Sequence, residues 1–368
     1  MNSSLRYILI GLGIILAILC IWYFINIVAY ILVSVVLALV GKPIVDLLGK
    51  IHIGKIKLPK PLRAFLTLML IWLLCFAFFR IFIPLIANEI DSLSSINPEK
   101  LLASLEEPIE KLESVIDKYQ IAGEGKFVLE DFIANKATSF LNVSFLKNFL
   151  SSIAGIMGNI FIAFFAISFM TFFFLRDERL FAEGILAMVP DKHVEAFKHA
   201  MNSTRYLLRR YFVGILGQIT GIFTLVTTGL TIVGVGFNHS ILIGLIAGLL
   251  NVIPYIGPLI GSALGVLIGI ATHLDLEFYA ELLPLIGFMI LIFIIVQTID
   301  NVLFQPLIFS SSVNAHPLEI FIVILVAGSL AGITGMILAI PTYTVVRVFA
   351  KEFFNNFKVV KKLTKNIH

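Results

Sequence analysis

The chain has 368 residues, 59% of them hydrophobic and 14% charged, with a mean hydropathy of +1.02. Soluble domains carry about 25% charged residues, so a soluble enzyme is excluded and a polytopic membrane protein is the expected class. The net charge is only +4, and the two cysteines, Cys20 and Cys75, lie in apolar runs. That excludes a disulfide framework or a cysteine metal site.

Leu5 to Tyr23 is long enough for one crossing, at about 20 residues each, and continues past Ile25 without a small-residue cleavage site. It is read as an uncleaved span. Ile25 to Val40 makes a second, shorter span joined to the first by a tight hairpin. Gly41 to Arg63 carries five lysines and one arginine against the single acid Asp46, which marks it as cytoplasmic and puts the N-terminus on the same side. Leu62 to Ala87 is the third span.

Residues 88–150 form the one sizeable extramembrane segment, with eleven acids and six lysines between Glu89 and Lys147. Leu101, Leu105, Leu112, Ile116 and Tyr119 recur at helical spacing, as on one face of an amphipathic helix. This segment is expected to be a helical cap or a subunit contact. Ser151 to Leu175 is the fourth span, rich in Phe rings that face lipid or fill the core. The linker 176–210 is polar and expected to be cytoplasmic. Tyr211 to Phe237 is the fifth span, with a Gly217–Gly221 pair that permits close helix packing.

Ser240 to Thr272 holds 33 residues, about 50 Å as a straight helix against about 30 Å of hydrocarbon. Asn251, Pro254, Gly257 and Pro258 cut it into two halves, each too short to cross. Residues 317–350 repeat the pattern, interrupted at Gly328, Gly332, Thr334 and Gly335, with Pro341 beyond. Each broken element is either a kinked crossing or a re-entrant hairpin. The length of each, and the loop His273 to Glu281 with three acids and no Lys or Arg, favour hairpins. Hairpins would dip from opposite sides, the geometry in which binding sites sit at the midplane. The expected fold is thus an all-α polytopic membrane protein of six to eight transmembrane helices, two of them broken or re-entrant, with a small helical extramembrane segment. It divides into helices 1–3 over 1–87, the segment 88–150, helices 4–5 over 151–237, a broken-helix transport core over 238–350 and a basic cytoplasmic tail over 351–368.

Asp300 is the main candidate for chemistry. With Gln297, Asn301 and Gln305 it forms a polar stripe on an otherwise apolar helix. An acid deep in a bilayer costs about 2.5–3.5 kcal/mol on insertion scales, so it must face protein or water. Its role is a substrate- or ion-binding face or a proton site; a structural hydrogen bond is the alternative. Asn251 sits where the first broken helix ends, and either binds substrate or satisfies freed backbone beside Pro254. Pro258 fits the first turn of the next half-helix, whose free N–H groups would then point into the site. Tyr255 is a gate or a packing residue. His316 opens the last element, with Glu319 one turn on as a candidate partner. Pro306 and the second break, Gly332, Thr334 and Gly335, complete the candidate path. The sequence lacks a Walker A loop, an H-E-x-x-H pair and a dinucleotide fingerprint. No enzymatic activity, metal, cofactor or nucleic-acid partner is expected, and transport would be passive or driven by an ion gradient.

Asn251-Val-Ile-Pro-Tyr-Ile-Gly-Pro258, Asp300-Asn301 with Gln305-Pro306, His316-Pro317, and Gly332-Ile-Thr-Gly335 with Ala339-Ile-Pro341 together resemble the autoinducer-2 exporter (AI-2E) family, or PerM-type permeases. The resemblance implies a bacterial inner-membrane transporter with both termini cytoplasmic. Its members are associated with export of the quorum-sensing signal autoinducer-2 or with sodium or lithium exchange for protons. The expected function is therefore a secondary transporter exporting a small polar solute, with a proton or sodium ion as candidate coupling ion. One alternative is a sodium(lithium)/proton antiporter with Asp300 as the titrating carboxylate. Another is a membrane scaffold that binds partners through 88–150. The amphipathic 101–119 face and the Gly-rich fifth span are compatible with a homo-oligomer.

Overall fold

The computed structural model describes residues 19, 23–50, 52–53, 56–94, 157–312 and 316–354. Most of the first span, nearly all of the 88–150 segment with its amphipathic face, and the tail beyond 354 lie outside the described residues. The architecture is helical. Its elements are α1 (Ile25–Leu48), a two-residue ladder of β1 (His52–Ile53) and β2 (Ile56–Lys57), α2 (Lys60–Ser94), α3 (Met157–Arg176), α4 (Glu178–Leu186) and α5 (Val194–Ile232). Then follow α6 (Phe237–Leu250), α7 (Ile256–Ala271), α8 (Leu283–Ile299), α9 (Gln305–Ser312) and α10 (Pro317–Phe354). Single π-helical turns, Phe278–Leu282 and Asp300–Phe304, precede and follow α8. Five helical stretches among the described residues are long and apolar enough to cross a bilayer, as a polytopic membrane protein requires.

The chain divides into two compact units, with boundaries inside α2 and α5. In the first unit, α1 packs on α2 and α3 through Gly41, where a methyl group would lie 3.0 Å from Thr67 and Ile71. Ser34 Oγ donates to the Ile167 carbonyl at 3.3 Å and ties α1 to α3. Phe161, Phe164, Phe165 and Phe169 of α3 are exposed, a ring-covered face suited to lipid. Phe172 is partly buried against the Val45, Ala64 and Leu175 core.

The second unit holds both broken elements. Helices α6 and α7, at 14 and 16 residues, are about 21 and 24 Å long, so neither reaches across about 30 Å of hydrocarbon. Their contacts run in opposite directions: Gly257 abuts Leu250, Gly261 abuts Ala247 and Gly265 abuts Ile243. At the open end the rings of His239 and His273 lie 6.1 Å apart. The first broken element is therefore an antiparallel hairpin that enters and leaves at one end. It is not a kinked crossing. Three buried glycines at every fourth position, Gly257, Gly261 and Gly265, make the seam. Small residues let backbones approach closely where burial against lipid offers no other drive.

Helix α10 is broken in its middle and folds back on itself. Ala331 (φ −139°) and Gly332 (φ 59°) leave the helical region. Gly335 abuts Ala327, Gly328 abuts Met336, and the Tyr343 hydroxyl donates to Glu319 Oε2 at 3.1 Å. Residues 317–330 and 333–354 are thus two antiparallel arms. Glycine at 332 suits the turn, because φ near +60° is strained for residues with a Cβ.

Helix α5 orders the two hairpins. Gly244 and Gly248 of α6 lie against Thr227, Phe223 and Ile219 of α5, and Thr227 donates to the Ser240 carbonyl, so the first hairpin opens at the Ile232 end of α5. Helices α8 and α9 run antiparallel to α5, with Ile292 on Gly229, Phe304 on Gly221 and Ile308 on Gly214. The chain thus reaches the Tyr211 end and re-enters at Pro317. There Ile320 shares a core with Tyr211, Ile215 and Ile308. The hairpins open at opposite ends of α5, and the tip of the first meets the mouth of the second where the Tyr255 ring packs edge-on against Phe321 at 5.9 Å.

Candidate functional site

Asp300 is 1% exposed. Gln218 Nε2, from α5, donates to its Oδ1 at 2.6 Å. Gln305 Nε2 donates to its Oδ2 at 2.8 Å. Gln305 also donates to Asn301 Oδ1 at 2.9 Å, and Gln297 donates to the same oxygen at 3.0 Å. The four polar residues read from the sequence stripe therefore form one network, with Asp300 buried and Asn301 exposed. No lysine or arginine lies within ion-pair distance of Asp300 among the described residues.

The π-turn makes this network. In a regular α-helix Gln305 would sit about 140° around the axis from Asp300. The wider turn over Asp300–Phe304 places the Gln305 N–H on the Asp300 carbonyl and brings its side chain back over the carboxylate. Pro306 helps explain the distortion, because it has no N–H to give and its ring crowds the carbonyl four residues back. Such bulges occur frequently at functional sites.

The first hairpin's tip is buried. Asn251 is 5% exposed, and its Nδ2 has no hydrogen-bond partner among the described residues. With Gly248 packed on the Ile219 carbonyl and the Phe223 backbone nitrogen, Asn251, three residues further, comes within about a turn of Gln218 along α5. Tyr255 has φ 67° and ψ −48°, and the Ile256 N–H donates to the Pro254 carbonyl at 2.8 Å. This is a γ-turn of the positive-φ kind, which is rare and strained. A Cβ at Gly257 would overlap the Leu250 carbonyl.

The sequence reading placed free N–H groups at the start of α7, and here the structure differs. The Ile256 and Gly257 donors are taken by the Pro254 and Ile253 carbonyls, and Pro258 has none. The tip is closed on itself. His316 Nδ1 accepts the Leu318 N–H at 3.2 Å and caps α10. Glu319, expected to pair with His316, instead accepts from Tyr343. Gly332, Thr334 and Gly335 form the second tip, where Gly332 and Thr334 are exposed and Gly335 is half-buried; the structure does not join them to the Asp300 network.

Sequence reasoning passed over Gln218. A lone glutamine in an apolar span carries the same signal as Asp300, only weaker. It also passed over Arg347, which is 5% exposed and stacks over Tyr343 at 5.5 Å. Beside the network, Gly217, Thr220 and Gly221 of α5 with Ile299, Leu303 and Phe304 line an open groove of about 760 Å³. The Thr220 hydroxyl donates to the Leu216 carbonyl in its own helix, so the wall it offers is apolar.

The AI-2E family transporter profile matches residues 12–355. The chain belongs to the AI-2E transporter family. Among its relatives is YueF of Bacillus subtilis (strain 168), whose name assigns it to transport, 28% identical over 239 residues. That match covers 63% of this chain and 61% of YueF. YrrI of the same organism is 30% identical over 193 residues, 51% of this chain and 50% of YrrI. PerM of Escherichia coli (strain K12), named as a permease, is 38% identical over 56 residues, 15% of this chain and 16% of PerM. The matched region thus spans about half to three-fifths of the two Bacillus relatives. This member of the AI-2E transporter family carries a buried carboxylate, Asp300, on the stretch that links two hairpins opening at opposite ends of α5.

Proposed function

We propose that the protein is a secondary transporter exporting a small polar solute, with autoinducer-2 as the candidate the family suggests. The observation that carries this reading is the buried Asp300–Gln218–Gln305 network, on the stretch of chain that links the two hairpins. A carboxylate and amide oxygens offer acceptors to a hydroxyl-bearing solute, and a broken-helix core is the arrangement in which transporters bind substrates. On this reading the chain sits in the bacterial inner membrane with both termini cytoplasmic, because the basic loops at 41–63 and beyond 351 favour that side. Counterflow of autoinducer-2 in proteoliposomes tests it. The wild type carries the solute and Asp300→Asn does not; equal flux in both would sink the proposal.

A second reading is a sodium(lithium)/proton antiporter with Asp300 as the titrating carboxylate. It is favoured by the absence of an ion-pair partner for this acid among the described residues. A sodium-driven pH change inside the same proteoliposomes, lost in Asp300→Asn, separates it from the first.

A further inference from the structure

We propose that Asn251 is a hydrogen-bond-donor subsite, closed in this state, that takes an acceptor oxygen of a neutral or anionic solute when the first hairpin's tip opens. The inference rests on the transport reading above. Buried polar groups in native proteins are nearly always partnered, and each exception needs an explanation. Asn251 Nδ2 is such an exception. It comes within about a turn of Gln218 along α5, in the tip whose backbone holds the strained φ of Tyr255. Two unfavourable features in one turn mark a segment kept for something other than stability.

The donors decide the class of ligand. Opening the γ-turn returns Tyr255 to negative φ and frees the Ile256 N–H from the Pro254 carbonyl. That N–H and Asn251 Nδ2 then present two donors from one short segment. Donors recognise carbonyl, hydroxyl or carboxylate oxygens and repel a metal cation. The Asp300 side of the site supplies acceptors. Together they fit a solute with both hydroxyl hydrogens and acceptor oxygens, and they do not fit an alkali ion at the tip. The Tyr255–Phe321 ring contact makes the second hairpin part of what must move.

Melting of the purified full-length protein in detergent, and autoinducer-2 counterflow in proteoliposomes, test this with Asn251→Leu and Asn251→Asp. Asn251→Leu removes an unpaired donor, so it melts higher than the wild type. Asn251→Leu and Asn251→Asp lose flux by an order of magnitude or more. Autoinducer-2 raises the wild-type melting temperature and lithium chloride does not, and Asn251→Leu loses that rise. A lower melting temperature for Asn251→Leu, or wild-type flux through it, overturns the proposal, as does stabilisation by lithium alone. Flux lost in Asn251→Leu but kept in Asp300→Asn supports Asn251 and overturns the role given to Asp300. If the wild type carries no autoinducer-2, the transport reading loses its substrate, while the melting order of Asn251→Leu still decides the subsite.

Discussion

Gln218 and Asp300 are 82 residues apart in sequence and 2.6 Å apart at their polar atoms. The hydrogen bond joins two long helices through the interior of the second unit, and both residues are buried. Replacing Gln218 by Leu leaves Asp300 Oδ1 without its donor. An unsatisfied buried polar group costs about 1–3 kcal/mol, more when charged, so Gln218→Leu lowers the melting temperature. Pairing it with Asp300→Asn in a double-mutant cycle gives a coupling of about 0.5–3 kcal/mol. Additive effects would show that the bond contributes nothing.

The π-turn makes a second prediction. Deleting Val302, which is exposed, removes the extra residue and restores regular helix. Gln305 then stands four residues after Asp300, about 40° around the axis, and keeps the carboxylate. The deletion variant therefore retains flux that Gln305→Ala loses. A Val302 deletion with the flux of Gln305→Ala would show that the π-turn does more than place Gln305.

Glycines at the helix seams are not equivalent. A Cβ at Gly257 would overlap the Leu250 carbonyl, which is backbone and cannot swing away, whereas nothing lies within 4 Å of a Cβ at Gly217. Gly257→Ala therefore destabilises by about 1–3 kcal/mol through overpacking. Gly217→Ala is neutral or stabilising by up to about 1 kcal/mol, as in any helix interior. Thermal melts of the two variants against wild type check the ordering.

The hairpin topology predicts accessibility. Asn238 and Asp275 flank the open end of the first hairpin, beside His239 and His273. Single cysteines at 238 and 275, in a background with Cys20 and Cys75 replaced by Ser, react with an impermeant maleimide from the same side of the membrane. Labelling from opposite sides would restore a kinked crossing.

The sequence made the broken elements legible because a residue count over 240–272 and 317–350 overshoots a bilayer, whatever the residues are. Asp300 was legible because one acid in an apolar run stands out. Gln218 was not, since its meaning depends on a partner on another helix and a single chain carries no sign of that pairing. The π-turn was equally hidden: 297, 300, 301 and 305 look like a plain helical stripe, and only the widened turn brings Gln305 over the carboxylate. The expectation of free donors at the start of α7 failed because Tyr255 adopts a backbone conformation that folds the Ile256 N–H back onto Pro254. Side-chain burial at Asn251 likewise depends on how closely glycine lets two backbones approach, which periodicity does not report.

The glycine seam of the first hairpin also constrains how this protein can change its length. Gly257, Gly261 and Gly265 face Leu250, Ala247 and Ile243 in strict opposition. One residue inserted in either arm would rotate everything beyond it by about 100° and drive side chains into a seam with no room for a methyl group. Insertions and deletions are therefore confined to the mouth, near Gly236 or the loop after His273. The interior of both arms admits substitution only. A library of single-codon insertions across 237–271 would accordingly return a dead zone bounded by two tolerant ends.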